Sequence, residues 1–257
     1  MTVQEIRAQL TQAGNAELPA LLDLYRTDRR AGVRRLVLEA ENRRKALEAE
    51  YARLEAMTAY EKEYEAFGVI CGIDEAGRGP LAGPVAAAAV ILPKDSRIFF
   101  LNDSKKLSEK KREELYGEIL EQAVGVGVGL VGPGRIDEIN ILQATYEAMR
   151  EAVGKLSVRP DVCLNDAVTI PGLPSRIRQI PIIKGDAKSL SIAAASIVAK
   201  VTRDRLMREY DRLYPEYGFA VHKGYGTRAH MEAIRRFGMT PIHRRSFLKN
   251  IGEGGCI

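Results

Sequence analysis

Residues 69–80 read Val-Ile-Cys-Gly-Ile-Asp-Glu-Ala-Gly-Arg-Gly-Pro. An apolar run leads into two adjacent carboxylates, Asp74 and Glu75, and then into a Gly-Arg-Gly turn at Gly77, Arg78 and Gly79. Alternation along a strand puts Ile70, Gly72 and Asp74 on one face, so Glu75 points the other way unless the strand stops there. The glycines predict that it stops. A second apolar run, residues 85–92, follows after too few residues for a parallel crossover, so these strands are expected to pair antiparallel.

Further strands are predicted at 124–131, 162–164 and 177–183, and helices at 108–122, 141–153, 188–213 and 227–237. Helices or long connections separate the later strands, which predicts an α/β domain around a mixed sheet. The first 67 residues differ. Between 29 and 65 there is no Pro and one Gly, Gly32, while Val33, Leu36, Ala40, Leu47, Tyr51 and Leu54 recur at helical spacing, predicting one long amphipathic helix. Shorter helices should precede it, broken near Gly14 and Asn15 and again near Thr27.

Charge is sorted along the chain. Residues 1–67 hold eleven Lys and Arg against twelve Asp and Glu, so the net +5 of the 257 residues comes from the remainder, near +6. Arg26, Arg29, Arg30, Arg34, Arg35, Arg43, Arg44 and Lys45 cluster ahead of an acidic stretch. That cluster reads either as a solvated helical face or as an arm that contacts phosphates. With 46% hydrophobic residues, global disorder is excluded. Cys71, Cys163 and Cys256 form neither a disulfide framework nor a metal-finger pattern, so a reducing cytoplasm is the expected location. No run is long and apolar enough for a membrane span or a signal peptide.

Two further acids repeat the arrangement at Asp74. Val162, Leu164 and Asp166 share a face, with Asp166 closing that run, and Asp186 lies between a strand and a helix expected to begin near residue 187. Taken alone, Asp186 reads as that helix's N-cap. Taken together, these carboxylates form an all-oxygen set that repels itself unless cations are present, which selects Mg²⁺ or Mn²⁺. Two such ions roughly 3.5–4 Å apart support phosphodiester hydrolysis. Basic residues are placed to match. Asp103-Ser104-Lys105-Lys106-Leu107-Ser108 is expected to open a helix and offer ammonium groups and amides to a phosphate. Residues 200–249 hold twelve Lys and Arg against five Asp and Glu, and include His222-Lys223-Gly224-Tyr225-Gly226-Thr227 and His243-Arg244-Arg245-Ser246. A Tyr held between glycines on a basic surface suits a nucleic acid, although a solvated helix and a plain turn explain it equally.

Some signals lead elsewhere. Gly127-Val128-Gly129-Leu130-Val131-Gly132 matches a dinucleotide fingerprint, yet its glycines lie inside a strand and Pro133 falls where the helix should continue, so no nucleotide cofactor is expected. His222, His230 and His243 lack tight metal spacing and read as structural or substrate contacts. Ser191, Ala195, Ser196 and Ala199 read as a close-packing stripe.

Asp74-Glu75-Ala76-Gly77-Arg78-Gly79-Pro80, the Asp103–Ser108 segment, Lys184-Gly185-Asp186 leading into Ser191-Ile192-Ala193-Ala194-Ala195-Ser196-Ile197, and His222-Lys223-Gly224-Tyr225-Gly226-Thr227 together resemble the bacterial ribonuclease HII family. The match runs over residues 68–250, and the Gly-Arg-Gly triplet favours this family over the related ribonuclease HIII. The resemblance implies a ribonuclease-H-like fold, with a mixed five-stranded sheet flanked by helices and, here, an N-terminal helical extension over 1–67. It implies four metal-associated catalytic acids, Asp74, Glu75, Asp166 and Asp186, holding Mg²⁺ or Mn²⁺. It implies that the backbone of Gly77, Arg78 and Gly79 senses a ribose 2′-hydroxyl and that Tyr225 packs on the following deoxyribose. Ser104, Lys105, Lys106, Lys184, His222 and Lys223 are the other expected substrate contacts. The implied substrates are RNA–DNA hybrids and duplex DNA with embedded ribonucleotides, cut on the 5′ side to leave 3′-hydroxyl and 5′-phosphate ends. A 2′-hydroxyl is what separates RNA from DNA, so some contact to it is required. A monomer is expected, with a flexible tail at 251–257. Another nuclease of this fold, or a non-catalytic nucleic-acid-binding module, are the alternatives.

Overall fold

A computed structural model describes residues 1–14 and 16–248; the expected tail at 251–257, with Cys256, lies outside the described residues. The chain divides into two compact units, Met1–Ala56 and Met57–Ile257.

The first unit is helical. Helix α1 (Val3–Gln12) opens on a capping box, in which the Thr2 hydroxyl accepts from the Glu5 N–H and the Glu5 carboxylate accepts from the Thr2 N–H. Helix α2 (Leu18–Tyr25) starts with Pro19 in its first turn, and α3 spans Ala31–Met57. Ile6, Leu10, Leu18, Leu22, Tyr25, Val33, Leu36, Val37 and Ala40 make this unit's own core. The predicted single helix ends at Met57, ahead of a short α4 (Ala59–Tyr64). Within the basic cluster, Arg26 pairs with Glu41, Arg30 with Asp28, Arg35 with Glu39 and Arg44 with Glu48. The first of these pairs joins the end of α2 to α3, and the others lie within four residues in the chain.

The second unit is built on five strands: β1 (Ile70–Ala76), β2 (Val85–Ile91), β3 (Gly125–Val131), β4 (Val162–Asp166) and β5 (Arg178–Ile182). Their order is β3-β2-β1-β4-β5. β2 lies antiparallel to β1 and β3, while β4 runs parallel to β1 and β5. Helices α5 (Glu109–Gln122), α6 (Pro133–Gly154) and α7 (Leu190–Leu213) flank the sheet, and α8 (Phe219–His222), α9 (Arg228–Phe237) and α10 (Arg245–Leu248) follow. Glu61 on α4 accepts hydrogen bonds from the Ser189 and Ser191 hydroxyls and the Ser191 N–H, tying α4 to the start of α7.

Small residues explain how close the helices lie. Every residue of β2, Val-Ala-Ala-Ala-Ala-Val-Ile, is buried. A Cβ on Gly72 would fall 2.1 Å from the Ser191 carbonyl carbon, so the small-residue stripe of α7 seats against β1. On β3, a Cβ at Gly127 or Gly129 would meet the Ala152 or Ala148 carbonyl oxygen of α6 at 2.0 or 1.9 Å. The alternating glycines are therefore packing sites. Pro133 occupies the first turn of α6, so it starts this helix and does not interrupt one; the break in α6 comes at Asn140, with φ 67°. Gly129→Ala is expected to cost about 3 kcal/mol, because backbone must give way to the methyl group. Urea denaturation checks this, and a loss below about 0.5 kcal/mol would contradict so tight a contact.

Candidate active site

Strand β1 does not stop at its carboxylates. It continues through Asp74 and Glu75 to Ala76, because β2 pairs with it along that whole stretch, Asp74 against Ala88 and Glu75 against Ala87. On the other side, β4 sets Asn165 against Ile73, which brings Asp74 and Asp166 to one level at adjoining strand ends. Asp166 then accepts the Gly185 N–H at 2.7 Å, holding the 3-10 turn Gly185–Ala187 and with it Asp186 beside the pair. Asp186 does not cap α7. Ser189 does, its hydroxyl accepting from the Ile192 N–H.

Burial and mutual repulsion govern these acids. Asp74 is 5% exposed, and burial, then the charges of Glu75 and Asp166, push its carboxyl well up; bonds from the Ser196 hydroxyl and the Glu75 N–H pull it back. Burial raises Glu75, with Asp166 adding to the rise and Arg78, 3.6 Å away, opposing it. Burial likewise raises Asp186, helped by Asp166 and Asp103 and opposed by Lys105. One buried and two partly buried acids that resist full ionisation are a set a divalent cation relieves, and oxygen-only donors are what Mg²⁺ and Mn²⁺ take. In kind, then, the residues fit such ions. Among the described residues, however, no three acid, His or Cys side chains already close around one point as a ligand cage.

The Gly77–Gly79 turn leaves β1 two residues beyond Glu75, with Gly77 at φ +90°. Tyr225 stands next to it, 45% exposed, and a Cβ on Gly79 would lie 3.8 Å from the ring. The other expected contacts divide. Lys105, Lys106 and Lys184 are exposed, but Ser104 is buried, bonded at 3.0 Å to the Ser196 hydroxyl. The Asp103–Ser108 segment forms the 3-10 turn Ser104–Lys106 and then opens α5 through its last residue, Ser108, the N-cap, so the two lysines lie ahead of that helix and not in its first turn. Lys223 is 9% exposed, turned back onto the Ala220 carbonyl, with Glu109 3.9 Å away.

The histidines hold the tyrosine turn. His222 Nε2 lies 2.7 Å from the Tyr217 carbonyl and its Nδ1 accepts from the Gly224 N–H. The Thr240 N–H donates to His243 Nδ1, so His243 Nε2 donates to His230 Nε2, and His230 Nδ1 donates to the Tyr225 carbonyl. Each link fixes the next ring's tautomer, and the whole relay is neutral. Burial chiefly lowers His230 to about 4. In the unfolded chain this ring takes a proton near pH 6.5. Its contribution to stability is thus complete above that pH and lost, at about 1.4 kcal/mol per pH unit, as pH falls toward 4. An NMR titration should find His230 neutral at pH 5.5; a midpoint at or above 6 would contradict the relay.

Two arginines counted in the expected basic surface, Arg203 and Arg244, are not on it: each lies fully buried under both turns. Arg203 sits in a helix rich in alternating charge and Arg244 in a basic run, so each reads as surface. Much of the remaining basic charge here is also engaged: Arg205 and Arg208 pair with Glu113, Lys200 with Asp204 and Arg228 with Glu232.

Comparison with known proteins places the chain in one family. The model of the family described as ribonuclease HII matches residues 71–250, and that of the ribonuclease HII N-terminal domain matches residues 2–65. A ribonuclease HII of Lachnoclostridium phytofermentans is 59% identical over 97% of this chain and 97% of its own. One from Clostridioides difficile is 52% identical over 97% and 98%. Among solved structures, the ribonuclease H2 of Pyrococcus horikoshii OT3 superposes with a TM-score of 0.61 at 30% identity, covering 72% of this chain and 98% of that one.

Proposed function

The chain belongs to the ribonuclease HII family and is a ribonuclease H, and on that premise we propose that it hydrolyses the RNA strand of RNA–DNA hybrids and cuts on the 5′ side of ribonucleotides embedded in duplex DNA. One observation carries the reading: Asp74 and Glu75 lie at the end of β1, which leads directly into the Gly77–Gly79 turn, so only one or two residues separate two of the hydrolytic acids from the ribose-reading backbone. Residues 68–250 form the catalytic part in this reading, and residues 1–67 serve as a substrate-binding arm.

Asp74, Glu75, Asp166 and Asp186 would hold two Mg²⁺ or Mn²⁺ ions. When bound, such ions supply an activated water and stabilise the leaving 3′-oxygen. The chain's own residues do the rest. Backbone amides of the Gly-Arg-Gly turn take the ribose 2′-hydroxyl, which DNA lacks. The exposed Tyr225 ring packs on the next sugar and fixes the register of the scissile bond. Lys105, Lys106 and Lys184 approach phosphates from exposed turns. His222 and Lys223, bonded inward, shape the tyrosine turn. The products carry 3′-hydroxyl and 5′-phosphate ends, which suits ribonucleotide removal from DNA, by a monomer in the cytoplasm.

A strand-labelled hybrid tests the substrate class. The RNA strand should be cut while its DNA partner and an all-DNA duplex stay whole. Equal cutting of the all-DNA duplex would instead make the protein a nuclease indifferent to the sugar.

A further inference from the structure

Burying a guanidinium is expensive unless every donor finds an acceptor. Arg203 is 1% exposed and Arg244 0%, and both direct their donors at main-chain carbonyls. Arg244 Nη2 donates to the Gly77 carbonyl at 2.6 Å, Nη1 to Arg78 at 2.8 Å and Nε to Gly83 at 3.0 Å. Arg203 Nε donates to Pro84 at 2.9 Å, Nη2 to Ala82 at 3.0 Å and Nη1 to Lys223 at 2.9 Å. Arg203 therefore bridges the segment after β1 to the turn that carries Tyr225. Two backbone bonds close the same seam: Leu81 N–H donates to Gly224, and Arg244 N–H to Leu81.

The consequence follows from the peptide plane. In a trans peptide the carbonyl and the next residue's N–H point in opposite directions within one rigid unit. All peptides here are trans. Pulling the Gly77 and Arg78 carbonyls inward onto Arg244 thus turns the N–H groups of Arg78 and Gly79 outward. Those N–H groups have no acceptor among the described residues. Packing leaves no slack, since a Cβ on Gly77 would lie 2.0 Å from Arg203 Nε and one on Gly224 2.5 Å from the Ala82 carbonyl oxygen.

We propose that Arg203 and Arg244 are positioning residues for ribose recognition, which aim two backbone N–H groups outward and lock that turn at a fixed spacing from Tyr225. The inference rests on the reading, given above, that this turn receives the 2′-hydroxyl. Its test uses Arg244→Lys, Arg203→Lys and Arg244→Met on a DNA duplex with one ribonucleotide, below each variant's melting temperature. Misplacing the turn should lower kcat by about 100-fold. KM should stay within about threefold, because exposed lysines set affinity. Arg244→Lys, which keeps one charge but not the fork, should recover part of the loss seen in Arg244→Met. Wild-type kcat in a folded variant would overturn the proposal.

Should the variants not fold, NMR of the wild-type protein without divalent metal decides. The Arg244 Nε–H resonance should shift with the ribonucleotide duplex and not with the same duplex in all-deoxy form. Identical shifts would overturn the proposal. The Arg78 and Gly79 amides separate the two claims: if they too ignore the ribonucleotide, the ribose reading itself fails, whereas if they respond and Arg244 does not, only the role of the arginines fails.

Discussion

Asp74→Asn should lower hybrid cleavage by about 10³-fold or more at saturating Mg²⁺, since removing one charged ligand sacrifices several kcal/mol of stabilisation in the reacting state. Binding of the duplex should change little, because amide and carboxyl have the same shape and the phosphate-facing lysines are untouched. The same variant should melt no lower than the wild type in the presence of a chelator. Burial and the Glu75 and Asp166 charges push Asp74 well above its ordinary range, so its ionised form costs stability in the metal-free fold at neutral pH. With the pKa raised on folding, that cost is present above the folded pKa and disappears as pH falls below the unfolded one. Adding Mg²⁺ or Mn²⁺ should raise the wild-type melting temperature and leave that of Asp74→Asn nearly unmoved. Calorimetry and single-turnover kinetics check both halves, and a variant that cuts within tenfold of the wild type would remove Asp74 from the site.

Gly77→Ala should damage both stability and selectivity. Its φ of +90° is strained for any residue with a side chain, and the methyl group would fall 2.0 Å from Arg203 Nε. Strain and overpacking together predict a loss of about 2–4 kcal/mol in denaturant unfolding. Below its melting temperature, the variant should lose about 100-fold in incision at a single ribonucleotide, as the displaced turn no longer meets the sugar. Affinity for an all-DNA duplex, which makes no 2′-hydroxyl contact, should hold. If incision survives while stability falls, the turn is structural only.

Two of the strands and the acids on them are readable in the sequence because β1 and β4 are apolar runs that lead into carboxylates. Asp74 and Asp166 lie in β1 and β4 on that pattern alone. Where β1 ends is not readable, since its continuation through Glu75 depends on pairing with β2. Asp186 is ambiguous because an acid before a helix is equally an N-cap, and only the 3-10 turn at Gly185–Ala187 shows that Ser189 has that task. The glycines of β3 mimic a fingerprint because close helix packing and close phosphate approach both demand a missing side chain. Arg203 and Arg244 read as part of a basic surface, and their burial leaves no trace, for their partners are backbone carbonyls, which every residue has. For the same reason the basic charge of residues 200–249 overstates the exposed cationic surface: burial and ion pairing consume much of it.

The central claim is that the acids and the ribose-reading turn that follows β1 act together on one phosphodiester. The most direct measurement is the incision of a DNA duplex carrying one ribonucleotide, in Mg²⁺ or Mn²⁺, with the product ends mapped to the nucleotide. A single cut on the 5′ side of the ribonucleotide, leaving a 3′-hydroxyl and a 5′-phosphate, is the predicted result. An intact duplex with both metals, or cuts spread equally over deoxyribonucleotides, would contradict it.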